Sequence, residues 1–129
     1  MKIFPAIDLI DNKCVRLSKG KDETSIVFNE NPVDQAKYFE QQGSERLHIV
    51  DLDAAFGRVG INTKSVEKIR KAINIPIQIG GGIKNQEDAK RFFTLGVDYL
   101  IIGSFSVQNV EQVFLLSEEY KDKIYISLD

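Results

Sequence analysis

Ile75-Pro76-Ile77-Gln78-Ile79-Gly80-Gly81-Gly82-Ile83-Lys84-Asn85-Gln86 carries the architecture in miniature. Ile75–Ile79 is short, isoleucine-rich and apolar almost throughout, which suits a strand covered on both faces, as in a parallel sheet. Three glycines follow it. Asn85 can then cap a helix over Gln86–Leu95, with Glu87 and Asp88 placed where the helix dipole favours acids and Gly96 closing the end. The same alternation recurs on either side. Ile3–Ile7, Leu47–Val50, Tyr99–Ile102 and Ile124–Leu128 read as further buried strands. Between them, Asn31-Pro32 opens a helix in which Val33, Ala36 and Phe39 share a face, and Gly43 ends it. Val66, Ile69 and Ile73 mark a second helix over Thr63–Ile73, and a last one runs from Gln108 or Asn109 to about Tyr120. The order is βαβαβαβαβ: one α/β domain over residues 1–129, with a parallel sheet and right-handed crossovers.

The chain has 129 residues, a mass of 14.6 kDa and a formal net charge of −2. No apolar run approaches the roughly 20 residues that span a bilayer. The start, Met1-Lys2-Ile3-Phe4-Pro5, lacks the long apolar stretch of a secretory signal. Cys14 has no intramolecular disulfide partner, and a single histidine offers no metal-ligand cluster. No basic block suggests a nucleic-acid groove. The expectation is a cytoplasmic domain with no metal, no cofactor, and neither nucleic acid nor membrane as partner.

The unusual residues gather where strands end. Asp8 follows the first, Asp51 and Asp53 the second, Gly80-Gly81-Gly82 the third, Gly103-Ser104 the fourth and Asp129 the fifth. In parallel α/β folds the ligand site lies at that carboxyl edge. Gly81, Gly82, Gly103 and Ser104 could grip one phosphate between adjacent helix-opening turns, or the glycines could simply satisfy tight turns. In an eight-stranded ring the first and fifth strands stand opposite each other. Asp8 and Asp129 would then face across a pocket as an acid–base pair; otherwise Asp8 caps a turn and Asp129 is a solvated terminus. His48, inside an apolar strand, reads as a hydrogen-bonded core residue or as a site residue. Gln78 would tie layers of a barrel interior together. Arg58 and Lys84 lie on loops near the site, and Lys13 and Arg16 on the long first loop, where solvated charge is the default. Cys14 reads as a small filler.

Phe4-Pro5-Ala6-Ile7-Asp8-Leu9, Lys13-Cys14-Val15-Arg16-Leu17 and Leu47-His48-Ile49-Val50-Asp51-Leu52-Asp53 resemble the amino-terminal half of the ProFAR isomerase family of histidine biosynthesis. Gln78-Ile79-Gly80-Gly81-Gly82-Ile83 and Ile101-Ile102-Gly103-Ser104 fit the same family in order and spacing. The resemblance implies a TIM (βα)8 barrel, of which this chain would be the (βα)4 half plus a fifth strand, a fragment of a longer isomerase. It implies an Amadori rearrangement of an aminoaldose to an aminoketose on a bisphosphorylated ribotide, without metal or cofactor. Asp8 resembles the general base, Asp129 the general acid and His48 an active-site histidine. Gly81, Gly82, Gly103 and Ser104 resemble one phosphate grip, and Arg16 and Asp51 go with substrate or phosphate binding. The cyclase subunit of imidazole glycerol phosphate synthase is the near alternative, disfavoured because Ala6-Ile7-Asp8 stands where that subunit usually has Cys-Leu-Asp. A non-catalytic phosphate-binding half-barrel is the alternative of another class. Half a barrel would leave strand edges open to self-association and would show little turnover alone.

Overall fold

The computed structural model describes residues 4–18, 21–103 and 109–127. Ser104 and Asp129 lie outside the described residues. The strands are β1 (Ala6–Ile10), β2 (Lys13–Ser18), β3 (Lys21–Asn29), β4 (Leu47–Asp51), β5 (Ile77–Gly80), β6 (Tyr99–Ile102) and β7 (Ile124–Ile126). The helices are α1 (Pro32–Gln41), α2 (Leu52–Ala55), α3 (Thr63–Ala72), α4 (Gln86–Thr94) and α5 (Val110–Glu119). One sheet runs β3-β2-β1-β4-β5-β6-β7. From β1 through β4, β5 and β6 to β7 every neighbour is parallel and follows the last in chain order, as in consecutive staves of a barrel.

The crossover helices start where the sequence places them. Asn31 Oδ1 accepts from the Val33 and Asp34 amides at 3.1 and 3.3 Å, with Pro32 in the first turn of α1. Asn85 Oδ1 accepts from the Asp88 amide at 2.9 Å, and Asp88 in return accepts from the Lys84 amide. Strand alternation sends Ile7, Leu9, Leu47, Ile49, Ile77, Ile79, Leu100 and Ile102 to one face, where all are buried with Ala36, Val66, Ile69, Ala89, Phe92 and Leu116 from the helices. The other face is only half-buried. It carries Asp8, His48, Val50, Gln78, Tyr99 and Ile101. The strands are therefore covered fully on one side, not on both as their composition suggests.

Two departures from the expected βαβαβαβαβ order matter for the site. The first loop is not irregular: β2 and β3 form an antiparallel hairpin that extends the sheet, with Asp8 opposite Val15, Leu9 opposite Cys14 and Ile10 opposite Lys13. That pairing carries β1 on to Ile10, so Asp8 sits two residues inside the strand end. Lys13 and Arg16 accordingly lie on β2. The joining turn, Asp11-Asn12, has both φ values positive, 50° and 61°, the twist that a two-residue hairpin demands. The second departure is α2, a single turn directly after β4, which places Asp53 in a helix and not at a strand end.

Candidate functional site

Two rows of side chains cross the half-buried face. Ala6, His48, Gln78 and Tyr99 are register partners in one row; Asp8, Val50, Gly80, Ile101 and Tyr125 form the next, nearer the carboxyl ends. Asp8 and His48 are thus diagonal neighbours on adjacent parallel strands. Burial pushes the Asp8 carboxyl above the ordinary carboxylate value, and the nearby His48 opposes that shift. Burial likewise pushes the His48 imidazole below its ordinary value, and the Asp8 charge works the other way. A carboxylate with a raised pKa is a better proton acceptor near neutrality, and a neutral imidazole beside it remains a hydrogen-bond donor. Behind β1, the fully buried Cys14 thiol is raised to about 11 by burial and by Asp8, which makes it inert filler as the sequence suggests.

Gln78 does tie the layers. Its Nε2 lies 2.9 Å from His48 Nδ1, and its Oε1 accepts from Arg46 Nη1 at 3.1 Å. Arg46 in turn lies over the rings of Tyr99, 4.1 Å from the centroid, and Phe4, at 5.2 Å. A polar string therefore runs from the foot of the strands up to the row below Asp8.

Gly81 and Gly82 have φ of +119° and +69°. A Cβ on Gly81 would strike the Asp51 carbonyl, and one on Gly82 the Ala54 carbonyl, so the turn after β5 lies directly against the backbone of α2. This close packing places both glycines at the carboxyl edge. Gly103 follows β6 at the same edge and is half-buried. Arg16 is exposed on β2.

Asp51 goes elsewhere. It alternates with Val50 onto the helix-covered face, is 3% exposed, and caps α2 by accepting from the Ala54 amide at 3.0 Å. Burial raises its pKa, offset by hydrogen bonds from Asn62 and Ala54. The fold brings Asp8, His48 and Gln78 onto one face and leaves the Asp51 side chain behind it. Arg58, expected as a loop charge, reaches Asp53 at 2.8 Å. Lys84 is exposed.

Asn62 and Arg46 were not legible as site-building residues. Asn62 precedes the first turn of α3, yet its side chain makes no cap bond. Instead its Nδ2 donates to Asp51 Oδ1 at 2.8 Å and Asp53 Oδ2 at 3.1 Å, and its Oδ1 accepts from the Asn12 amide at 2.8 Å. Arg46, beside Glu45, has the signature of an ordinary surface charge. Its only sequence signal is its even spacing from His48, which puts both on one face of the chain entering β4. No helix among the described residues is long and apolar enough to cross a membrane.

The family described as "Histidine biosynthesis protein" matches residues 2–129. A protein from Prochlorococcus marinus subsp. pastoris, named 1-(5-phosphoribosyl)-5-((5-phosphoribosylamino)methylideneamino) imidazole-4-carboxamide isomerase, is 47% identical over all 129 residues, which cover 51% of its length. Proteins of the same name from Magnetococcus marinus and Clostridioides difficile are 44% and 45% identical, with 52% and 54% of their lengths covered. The chain spans about half the length of the curated relatives it matches.

Proposed function

Because the chain belongs to the histidine biosynthesis protein family, a TIM-barrel family, we propose that it supplies the amino-terminal half of an aldose–ketose isomerase site acting on the bisphosphorylated ribotide named by its relatives. The observation that carries this reading is the sharing of one half-buried face by Asp8 and His48 as diagonal neighbours on adjacent parallel strands, with Asp8 in the row nearer the carboxyl ends. The Amadori rearrangement needs a ring-opening acid and a base that removes the proton from C2 of the sugar. In this proposal Asp8 is that base. Its raised pKa gives it driving force as a proton acceptor. His48 donates a hydrogen bond to a substrate oxygen, and Asp129 is the acid. Gly81, Gly82, Gly103 and Ser104 hold one phosphate at the helix-opening turns. Arg16 contributes positive charge from the hairpin. Asp51, lying behind the sheet, enters only by setting the backbone of α2 against which the glycine turn rests. A cytoplasmic location belongs to the same proposal, as does self-association through the exposed Val110, Phe114, Leu115, Tyr125 and Ile126.

The test is turnover in a polypeptide of the relatives' full length. Asp8→Asn should lower kcat by roughly 10²–10⁴, the usual contribution of a positioned base, while substrate still binds. Retained turnover in that variant would remove Asp8 from the base role. Ammonia-dependent ring closure among the products would identify a cyclase instead.

A further inference from the structure

We infer that Arg46 and Gln78 are positioning residues that hold His48 in a single tautomer, with Nδ1 as bare acceptor and the proton on Nε2. The donors and acceptors of three side chains fix the tautomer. A guanidinium has donors only, so the Gln78 atom that meets Arg46 Nη1 at 3.1 Å must be the amide oxygen. The amide is rigid and planar, and its other end is then the NH2 group, placed 2.9 Å from His48 Nδ1. A ring nitrogen facing an N–H donor must offer its lone pair. The neutral imidazole then carries its hydrogen on Nε2.

Arg46 is itself held in place. It lies over the rings of Tyr99 and Phe4, with centroids 4.1 and 5.2 Å away, and cannot deprotonate. Reversing the Gln78 amide would set NH2 against guanidinium and oxygen against the Nδ1 lone pair, two repulsions in a half-buried row. The consequence is a division of labour. With Nδ1 occupied, the imidazole has no free lone pair with which to take a proton, and its remaining polar atom is the Nε2–H donor. On this face Asp8 is then the proton acceptor, and His48 steadies negative charge developing on a bound oxygen. That last use rests on the isomerase reading; the tautomer itself does not.

His48 is the chain's sole histidine, so its ring nitrogens can be observed without ambiguity. Long-range ¹H–¹⁵N correlation spectra of the 129-residue chain at neutral pH should show an Nε2–H imidazole. The Gln78 side-chain amide should also couple to Nδ1 across the hydrogen bond. Gln78→Glu replaces the donor with an acceptor and should put a proton on Nδ1. Arg46→Met should let the amide reverse, and the Gln78–Nδ1 coupling should be lost. A side chain that served packing alone would alter stability and leave the proton where it was. An Nδ1–H tautomer or a missing coupling in the unsubstituted chain overturns the inference, as does a Gln78→Glu ring whose Nδ1 still carries no proton. Loss of turnover in Asp8→Asn bears on the isomerase reading alone, so the two can fail separately.

Discussion

Asn62 holds Asp51 from behind the sheet: its Nδ2 donates to Asp51 Oδ1 at 2.8 Å, and neither residue is more than 3% exposed. The same amide reaches Asp53, whose Oδ2 also accepts from the Asp11 amide at 2.8 Å, while Asn12 Oδ1 takes the Ser65 hydroxyl at 2.6 Å. One asparagine thus joins the end of β4, the hairpin turn and the start of α3. Replacing it with Leu leaves two buried carboxylates short of a donor and frees the Asn12 amide. The expected cost is about 3 kcal/mol, read as a lower urea midpoint with an unchanged slope. Asn62→Asp should be worse at neutral pH, because it adds a third carboxylate to the same pocket.

The glycine turn separates strain from collision. Gly81→Ala would combine a φ of +119° with a Cβ driven into the Asp51 carbonyl. Strain and overpacking together should remove about 2–5 kcal/mol. Gly43, at φ +92° with open space where a Cβ would go, provides the comparison. Gly43→Ala should cost only about 1 kcal/mol, the strain alone. Equal losses in thermal unfolding for the two variants would mean that the contact with α2 contributes nothing.

Residues close in sequence were the ones a reader could interpret. Asn31, Asn85 and Gly43 act within a turn or two of themselves, and the apolar runs at Leu47–Val50 and Tyr99–Ile102 become strands almost unchanged. The hairpin escaped because its determinants are distant. Lys13 to Ser18 mixes charge with short alternation, and its turn is anchored by Asp53 and Asn62, 42 and 50 positions away. Asp8 and His48 were legible as single residues. Their shared face, and the Arg46–Gln78 string beneath it, depend on register between strands, which no local pattern encodes.

The two groups on the half-buried face pull stability in opposite directions with pH. His48 has its pKa lowered from 6.5 on folding, so the unfolded chain binds the extra proton first. Its contribution is complete above 6.5 and is lost as pH falls from there toward the folded value. Asp8 has its pKa raised from 3.8, so its contribution is present at low pH and lost as pH rises from 3.8 through the folded value. Denaturation midpoints should therefore drop on acidification just below pH 6.5. His48→Gln should flatten that limb, and a midpoint still falling equally in that variant would place the titrating group elsewhere.

The coupling between these residues can be measured directly. The Asp8 charge favours the imidazolium form of His48 and offsets part of the effect of burial. Asp8→Asn keeps the shape and removes the charge, so burial should act unopposed and the His48 pKa should move further below its ordinary value. The direction is diagnostic. If Asp8 were turned away from the face, the histidine titration would be unchanged; if it stabilised the neutral ring, the pKa would rise. An NMR titration of the lone imidazole in the two chains distinguishes the three outcomes. A downward shift also requires that Asp8 be ionised over the range in which His48 titrates, the state in which a carboxylate can accept a proton from the sugar.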